Sequence, residues 1–142
     1  MTVTIIGGGG REHAIAWKLK NDDKNIRLYA VPGNGGISGI AECVSIDTSD
    51  VVKLAEFAEE KGSDYTIVGP EVPLSLGIAD IFAERGLKVF GPSMKGAMLE
   101  SSKVFAKQFM KRNGIPTADF IVVSSHDEGV KALEEAEYPC VL

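Results

Sequence analysis

The sequence predicts an α/β protein whose core is an open parallel sheet with helices on both faces. Two observations predict it. Along the 142 residues, short apolar runs alternate with segments of helical period, the pattern left by strand–helix–strand units. Glycine-rich turns close the first, second and fourth of those runs, at residues 7–10, 32–36 and 69–71. An open sheet gathers its ligand-binding loops at that edge.

Residues 3–6 read as the first strand, residues 11–20 as a helix and residues 26–31 as the second strand. The loop at 32–36 is too rich in glycine to lie inside an element. Residues 43–46 suit a short third strand. Val51, Leu54, Ala55 and Ala58 then recur at helical spacing, with Lys53, Glu56, Glu59 and Glu60 on the wet face, until Gly62 stops the helix. A fourth strand at 65–68 runs into Gly69-Pro70-Glu71. Leu74, Ile78, Ile81 and Phe82 form one amphipathic stripe closed by Gly86, and residues 87–90 make a fifth strand ending at Gly91-Pro92. The first domain is expected to span residues 1–100.

Residues 101–142 begin a second region. A helix runs to about Arg112, stopped by Asn113, Gly114 and Pro116, and a strand is expected at 120–123. Ser125 and Glu128 have the spacing of a capping box and open a helix with Val130 and Leu133 inward. Residues 140–142 read as the start of another strand, an apolar end that suggests a truncated chain. Met94, Met98, Phe105 and Phe109 are expected in the core, and Glu134, Glu135 and Glu137 on a solvated face.

Apolar residues make up 44% of the chain and charged residues 25%, ordinary for a globular protein. A formal charge of −5 disfavours nucleic acid, which needs a basic face. No apolar run approaches the roughly 20 residues of a membrane span, and no basic leader precedes the first strand. Cys43 and Cys140 lie far apart without a C-x-x-C partner, so both are expected as reduced structural thiols in a cytoplasmic chain.

The turn at 7–10 joins a strand to a helix, leaving backbone N–H groups at the positive end of the helix dipole. A phosphate fits there because glycine carries no Cβ to hold it away. With the 32–36 loop and Glu71 at one edge, the set suits a phosphosugar or nucleotide. A dinucleotide is disfavoured. The third small position of its fingerprint falls on Glu12 or His13, and the second strand ends Tyr29-Ala30-Val31-Pro32 without an acid for a ribose hydroxyl. Each candidate has a plainer reading: Arg11 and His13 as decoration of the first helical turn, Asn34 as a turn former, Glu71 as a solvated loop residue, Lys103 as a surface lysine. His13 has no second His or Cys at ligand spacing, so no metal is expected on it.

GGGGREHAIAWKL, PGNGG, VGPEVPLSLGIAD, VFGPS and AMLESSKVFAKQFMKRNGIPTA, in that order, resemble the phosphoribosylamine–glycine ligase (glycinamide ribonucleotide synthetase) family. The resemblance runs over the whole chain. It implies a Rossmann-like domain preceding an ATP-grasp region whose start lies at 101–142, in a cytoplasmic enzyme of purine biosynthesis of which this chain is under half. Family members ligate glycine to 5-phosphoribosylamine through glycyl phosphate, using ATP and Mg2+ (or Mn2+). By resemblance, Gly8, Gly9, Gly10, Arg11, Asn34, Gly35 and Gly36 would hold the phosphate and ribose. Glu71 would orient the ribose hydroxyls or the amine, with Pro73 and Leu74 shaping the pocket, and Lys103 would reach ATP phosphates. The metal ligands and adenine site would lie past Leu142, leaving this piece inactive alone. A stand-alone sensor of a phosphorylated metabolite and an NAD-linked oxidoreductase domain are the competing readings.

Overall fold

The computed structural model describes residues 1–136 and 138–141. The chain divides into two compact units, Met1–Ser101 and Ser102–Leu142.

The first unit holds β1 (Thr2–Gly7), α1 (Gly10–Asp22), β2 (Arg27–Pro32), a 3-10 turn (Ile37–Gly39) and β3 (Glu42–Cys43). It continues through α2 (Val51–Glu60), β4 (Tyr65–Val68), α3 (Glu71–Ser75), α4 (Ile78–Glu84), β5 (Val89–Phe90) and α5 (Met94–Ser101). The five strands form one sheet in the order β3-β2-β1-β4-β5, and every pair is parallel. This is the predicted α/β class.

Both faces of the sheet are covered, which explains why the strands read as continuous apolar runs. Val3, Ile5, Leu28 and Ala30 face α1, packing with Ala16, Ile26 and Ile37. Ile6, Tyr29, Val31 and Val68 face the other way, against Leu54, Phe57 and Ala58 of α2 and Ile78 and Phe82 of α4. Tyr29 meets Phe57 edge to face, with ring centroids 5.6 Å apart. Ile5, Ile6, Leu54, Ile78 and Phe82 are fully buried, and burying each contributes roughly 1.5–3 kcal/mol. Asp50 caps α2, its side chain accepting the Lys53 N–H at 3.1 Å.

Several elements differ from the sequence reading. The stripe from Leu74 to Phe82 is two helices, because Gly77 adopts φ +84° between α3 and α4 and a left-handed residue ends a helical run. The third and fifth strands are two residues each, shorter than expected. The helix α5 was not foreseen. Its first N–H, at Met94, donates to Asp80 Oδ2 at 2.7 Å, a cap supplied from α4. Met94 and Met98, expected in the core, are 47% and 39% exposed.

The second unit holds α6 (Lys103–Arg112) and α7 (His126–Glu135). Ser102 caps α6, its Oγ accepting the Phe105 N–H at 3.2 Å, and Phe105 stacks on Phe109; both rings are half-buried. Lys107 Nζ reaches back to Thr117 Oγ1 at 2.7 Å and the Ala118 carbonyl at 2.9 Å. The expected N-cap of α7 is present, with Ser125 Oγ accepting the Glu128 N–H at 3.3 Å, but Glu128 Oε2 accepts the Ser124 N–H at 2.7 Å, one residue before the cap, where a capping box would use the Ser125 N–H. The strand expected at 120–123 is not formed. No other strand lies in this unit among the described residues, so it has no ladder to join. Ile121, Val122 and Val123 stand exposed. The strand expected at 140–142 falls partly outside the described residues at Leu142, and residues 140 and 141 carry no strand. Glu134 and Glu135 are exposed as expected; Glu137 lies outside the described residues.

Candidate functional site

The strand order puts the switch point of the sheet between β1 and β4, which are neighbours in the sheet with β2 and α2 between them in sequence. In open parallel sheets the crevice at the carboxyl ends of such strands receives the ligand. The three loops singled out in the sequence meet there.

Gly7 ends β1 at φ +121°, a conformation that glycine adopts without penalty. The chain then enters α1 with Gly9 as its N-cap. The N–H groups of Gly10 and Arg11, in the first turn of α1, find no acceptor among the described residues, as the geometry of a helix start dictates. Glu12 lies beneath that turn with its side chain only 5% exposed. Its Oε2 accepts the Gly9 N–H at 2.6 Å and its Oε1 accepts from Arg11 Nε at 3.1 Å. Arg11 also donates through Nη2 to the carbonyl of Gly69, beyond the end of β4. The turns after β1 and β4 are thereby tied together. Glycine is required at both ends of this contact: a Cβ on Gly7 would lie 2.8 Å from Glu12 Cγ, and one on Gly69 would overlap the Glu12 carboxylate.

The loop after β2 joins them from the other side. The Gly33 N–H donates to the Gly7 carbonyl at 3.2 Å. Asn34 Nδ2 donates to the Gly8 carbonyl at 2.7 Å, while Asn34 Oδ1 accepts the N–H groups of Gly36 and Ile37 at 2.8 and 2.9 Å. Asn34 therefore clamps its own loop to the first turn. His13 lies against this loop, since a Cβ on Gly36 would come within 2.9 Å of its Nδ1.

The rim that results is open. Gly9, Gly10, Arg11, Gly35, Gly36 and Glu71 are exposed, and Gly8 and Asn34 are half-buried. Glu71 is the first residue of α3 and has no side-chain hydrogen bond among the described residues. Pro73 and Leu74 do not line this rim. Pro73 is fully buried and Leu74 is 6% exposed, with Leu74 inside the core under the sheet; their bulk supports α3 from below. A depression of about 500 Å³ lies elsewhere, at the start of β2 between Lys20, Arg27 and Glu42. It is shallow and shares no residue with the three loops. Sequence reasoning missed the part played by Glu12, which had counted only as an obstacle to a dinucleotide.

In the second unit, Lys103 opens α6 one residue after its cap and is exposed. Among the described residues no three His, Cys, Asp or Glu side chains are grouped to hold a metal ion. No helix among the described residues is long and apolar enough to cross a membrane.

A doubly wound α/β domain with a glycine-rich strand–helix turn at its switch point is the class that fold and site define. The family model for the phosphoribosylglycinamide synthetase N domain matches residues 1–100. The phosphoribosylamine–glycine ligase of Caldanaerobacter subterraneus subsp. tengcongensis is 51% identical over 142 residues, covering 100% of this chain and 34% of that protein. The enzyme of the same name from Halalkalibacterium halodurans is 52% identical over 137 residues, covering 96% and 32%. The crystal structure of the Thermotoga maritima phosphoribosylamine–glycine ligase superposes with a TM-score of 0.71 at 29% identity, over 98% of this chain and 32% of that one. The chain belongs to the phosphoribosylglycinamide synthetase N-domain family. It spans about a third of the length of the curated relatives it matches.

Proposed function

We propose that this chain is the amine-delivering part of a phosphoribosylamine–glycine ligase, an enzyme that joins glycine to 5-phosphoribosylamine at the expense of ATP. The observation that carries the proposal is the convergence of three glycine-bearing loops on one rim of the sheet, in a chain half identical to enzymes of that name. The unpaired N–H groups of Gly10 and Arg11 and the free edge of the Arg11 guanidinium offer donors to a phosphate. Gly35 and Gly36 let backbone approach the sugar closely, and Asn34 holds that loop in place. Glu71, exposed and unbonded at the mouth, is the acceptor for ribose hydroxyls or the amine.

Amide formation needs an activated carboxyl group, because a carboxylate is a poor acylating agent at neutral pH. ATP supplies that activation when bound, and phosphoryl transfer depends mainly on positioning and charge neutralisation. Lys103 fits such a role as an exposed cation at a helix start. Among the described residues no carboxylates are grouped to hold magnesium. The residues of this chain bind and orient the amine, so that its nitrogen meets the activated glycine in an attack geometry. Residues 101–142 would begin the ATP-binding region, making residues 1–100 a separate domain.

The test is a steady-state assay of amide formation in the full-length protein, with calorimetry against ribose 5-phosphate. Wild type should form the amide, and Glu71→Ala should raise the KM for the amine while sparing the KM for ATP. Equal affinity of wild type and Glu71→Ala for the sugar phosphate would remove Glu71 from the site. The 142-residue chain alone should form no amide.

A further inference from the structure

We infer that Glu12 is a positioning residue for this rim, a buried carboxylate that holds Arg11 and couples the turn after β1 to the turn after β4. The inference deepens the function proposed above and rests on it. Glu12 touches no ligand position, because it lies under the first turn of α1 with its side chain 5% exposed. Both of its oxygens are committed: one to the Gly9 N–H, the other to Arg11 Nε. That second bond fixes the rotation of a guanidinium that would otherwise swing freely, since the Arg11 side chain is 63% exposed. Held so, Arg11 spends Nη2 on the Gly69 carbonyl and presents its remaining N–H groups at the rim. Gly7, Gly9 and Gly69 all lack the Cβ that would displace the carboxylate, so backbone on two strands is shaped around this one group.

The arrangement also explains the local electrostatics. The positive end of α1 already meets one internal anion at Gly9. A ligand phosphate is therefore left with the exposed N–H groups of Gly10 and Arg11 and the guanidinium edge. Glu12 fills the space between the two turns, and the ligand sits above it.

Glu12→Gln and Glu12→Ala in the full-length protein separate this role from simple packing. Glutamine keeps the shape and its single neutral amide oxygen can still accept from Gly9, but it then turns an NH2 donor, not an acceptor, toward Arg11. Glu12→Gln should therefore unfold near the wild-type temperature. Its KM for the amine should rise by about tenfold, the factor that corresponds to losing one hydrogen bond to a charged group, with the KM for ATP unchanged. Adding Arg11→Ala to Glu12→Gln should bring little further loss, because the two act as a unit. A wild-type KM in Glu12→Gln, equal changes in both KM values, or full additivity with Arg11→Ala would each overturn the inference. Hydrogen exchange supplies a readout independent of activity. In Glu12→Ala the amides at 8–11 and at 69–71 should both exchange faster by about tenfold, and unchanged exchange at 69–71 would refute the coupling. Should wild type form no amide, the functional proposal fails while the exchange experiment still decides the role of Glu12.

Discussion

Gly35 and Gly69 sit in loops of the same rim, yet alanine at each should fail in a different way. A Cβ on Gly69 meets the Glu12 carboxylate, which two hydrogen bonds hold in place. Gly69→Ala is expected to cost about 1–3 kcal/mol through overpacking, read from urea unfolding. At Gly35 nothing lies within 4 Å of where a Cβ would stand, so Gly35→Ala should change stability by less than about 0.5 kcal/mol. Its cost should appear in calorimetry as weaker binding of ribose 5-phosphate, since a methyl group would hold the sugar off the backbone. Unchanged binding would take Gly35 out of the contact surface. Most of this was legible in the sequence as glycines at three strand ends. Asn34 stood out for its amide, but its bonds turn inward to Gly8, Gly36 and Ile37. Glu12 was illegible because the tie it completes reaches Gly69, which is 58 residues from Arg11, and no spacing rule connects them.

The strands were readable where both faces are buried, which gives continuous apolar runs at β1, β2 and β4. Helices were readable where one face is wet, as in α2. The failures have specific causes. Gly77 splits a single apolar stripe by its backbone angle, and α5 owes its start to Asp80 of α4, a tertiary cap. The run at 120–123 has strand composition, but composition cannot supply the neighbour that a strand requires. Within the sheet, Thr4 and Thr66 are paired neighbours on β1 and β4 and both are buried. Thr4 Oγ1 bonds Ser63 Oγ at 2.6 Å, whereas Thr66 Oγ1 has no partner among the described residues. Thr66→Val should therefore stabilise the protein by about 1 kcal/mol, and Thr4→Val should destabilise it, because only the second change breaks a bond. A rise in Tm for Thr66→Val and a fall for Thr4→Val is the expected pair of results; a fall for both would mean that the Thr66 hydroxyl has a partner.

The two units differ in how much they bury. Both core clusters lie in Met1–Ser101, while Ala106 is the one buried residue of the second unit among those described. Few buried contacts mean low local stability. Limited proteolysis of the isolated chain should cut first between residues 113 and 124 and leave the sheet intact; cleavage within β1 or β4 at a similar rate would contradict this. The regular strand–helix alternation put the expected end of the first domain near Glu100. It could not show how little the later residues bury.

The bare stretch Ile121, Val122 and Val123 has a practical consequence. Its backbone N–H and C=O groups can zip onto any passing strand, including the same stretch of another molecule. Dimers or larger species that grow with protein concentration in the 142-residue chain would then report this adhesive ribbon, and a dilution series beside Val122→Lys tells such stickiness apart from genuine quaternary structure.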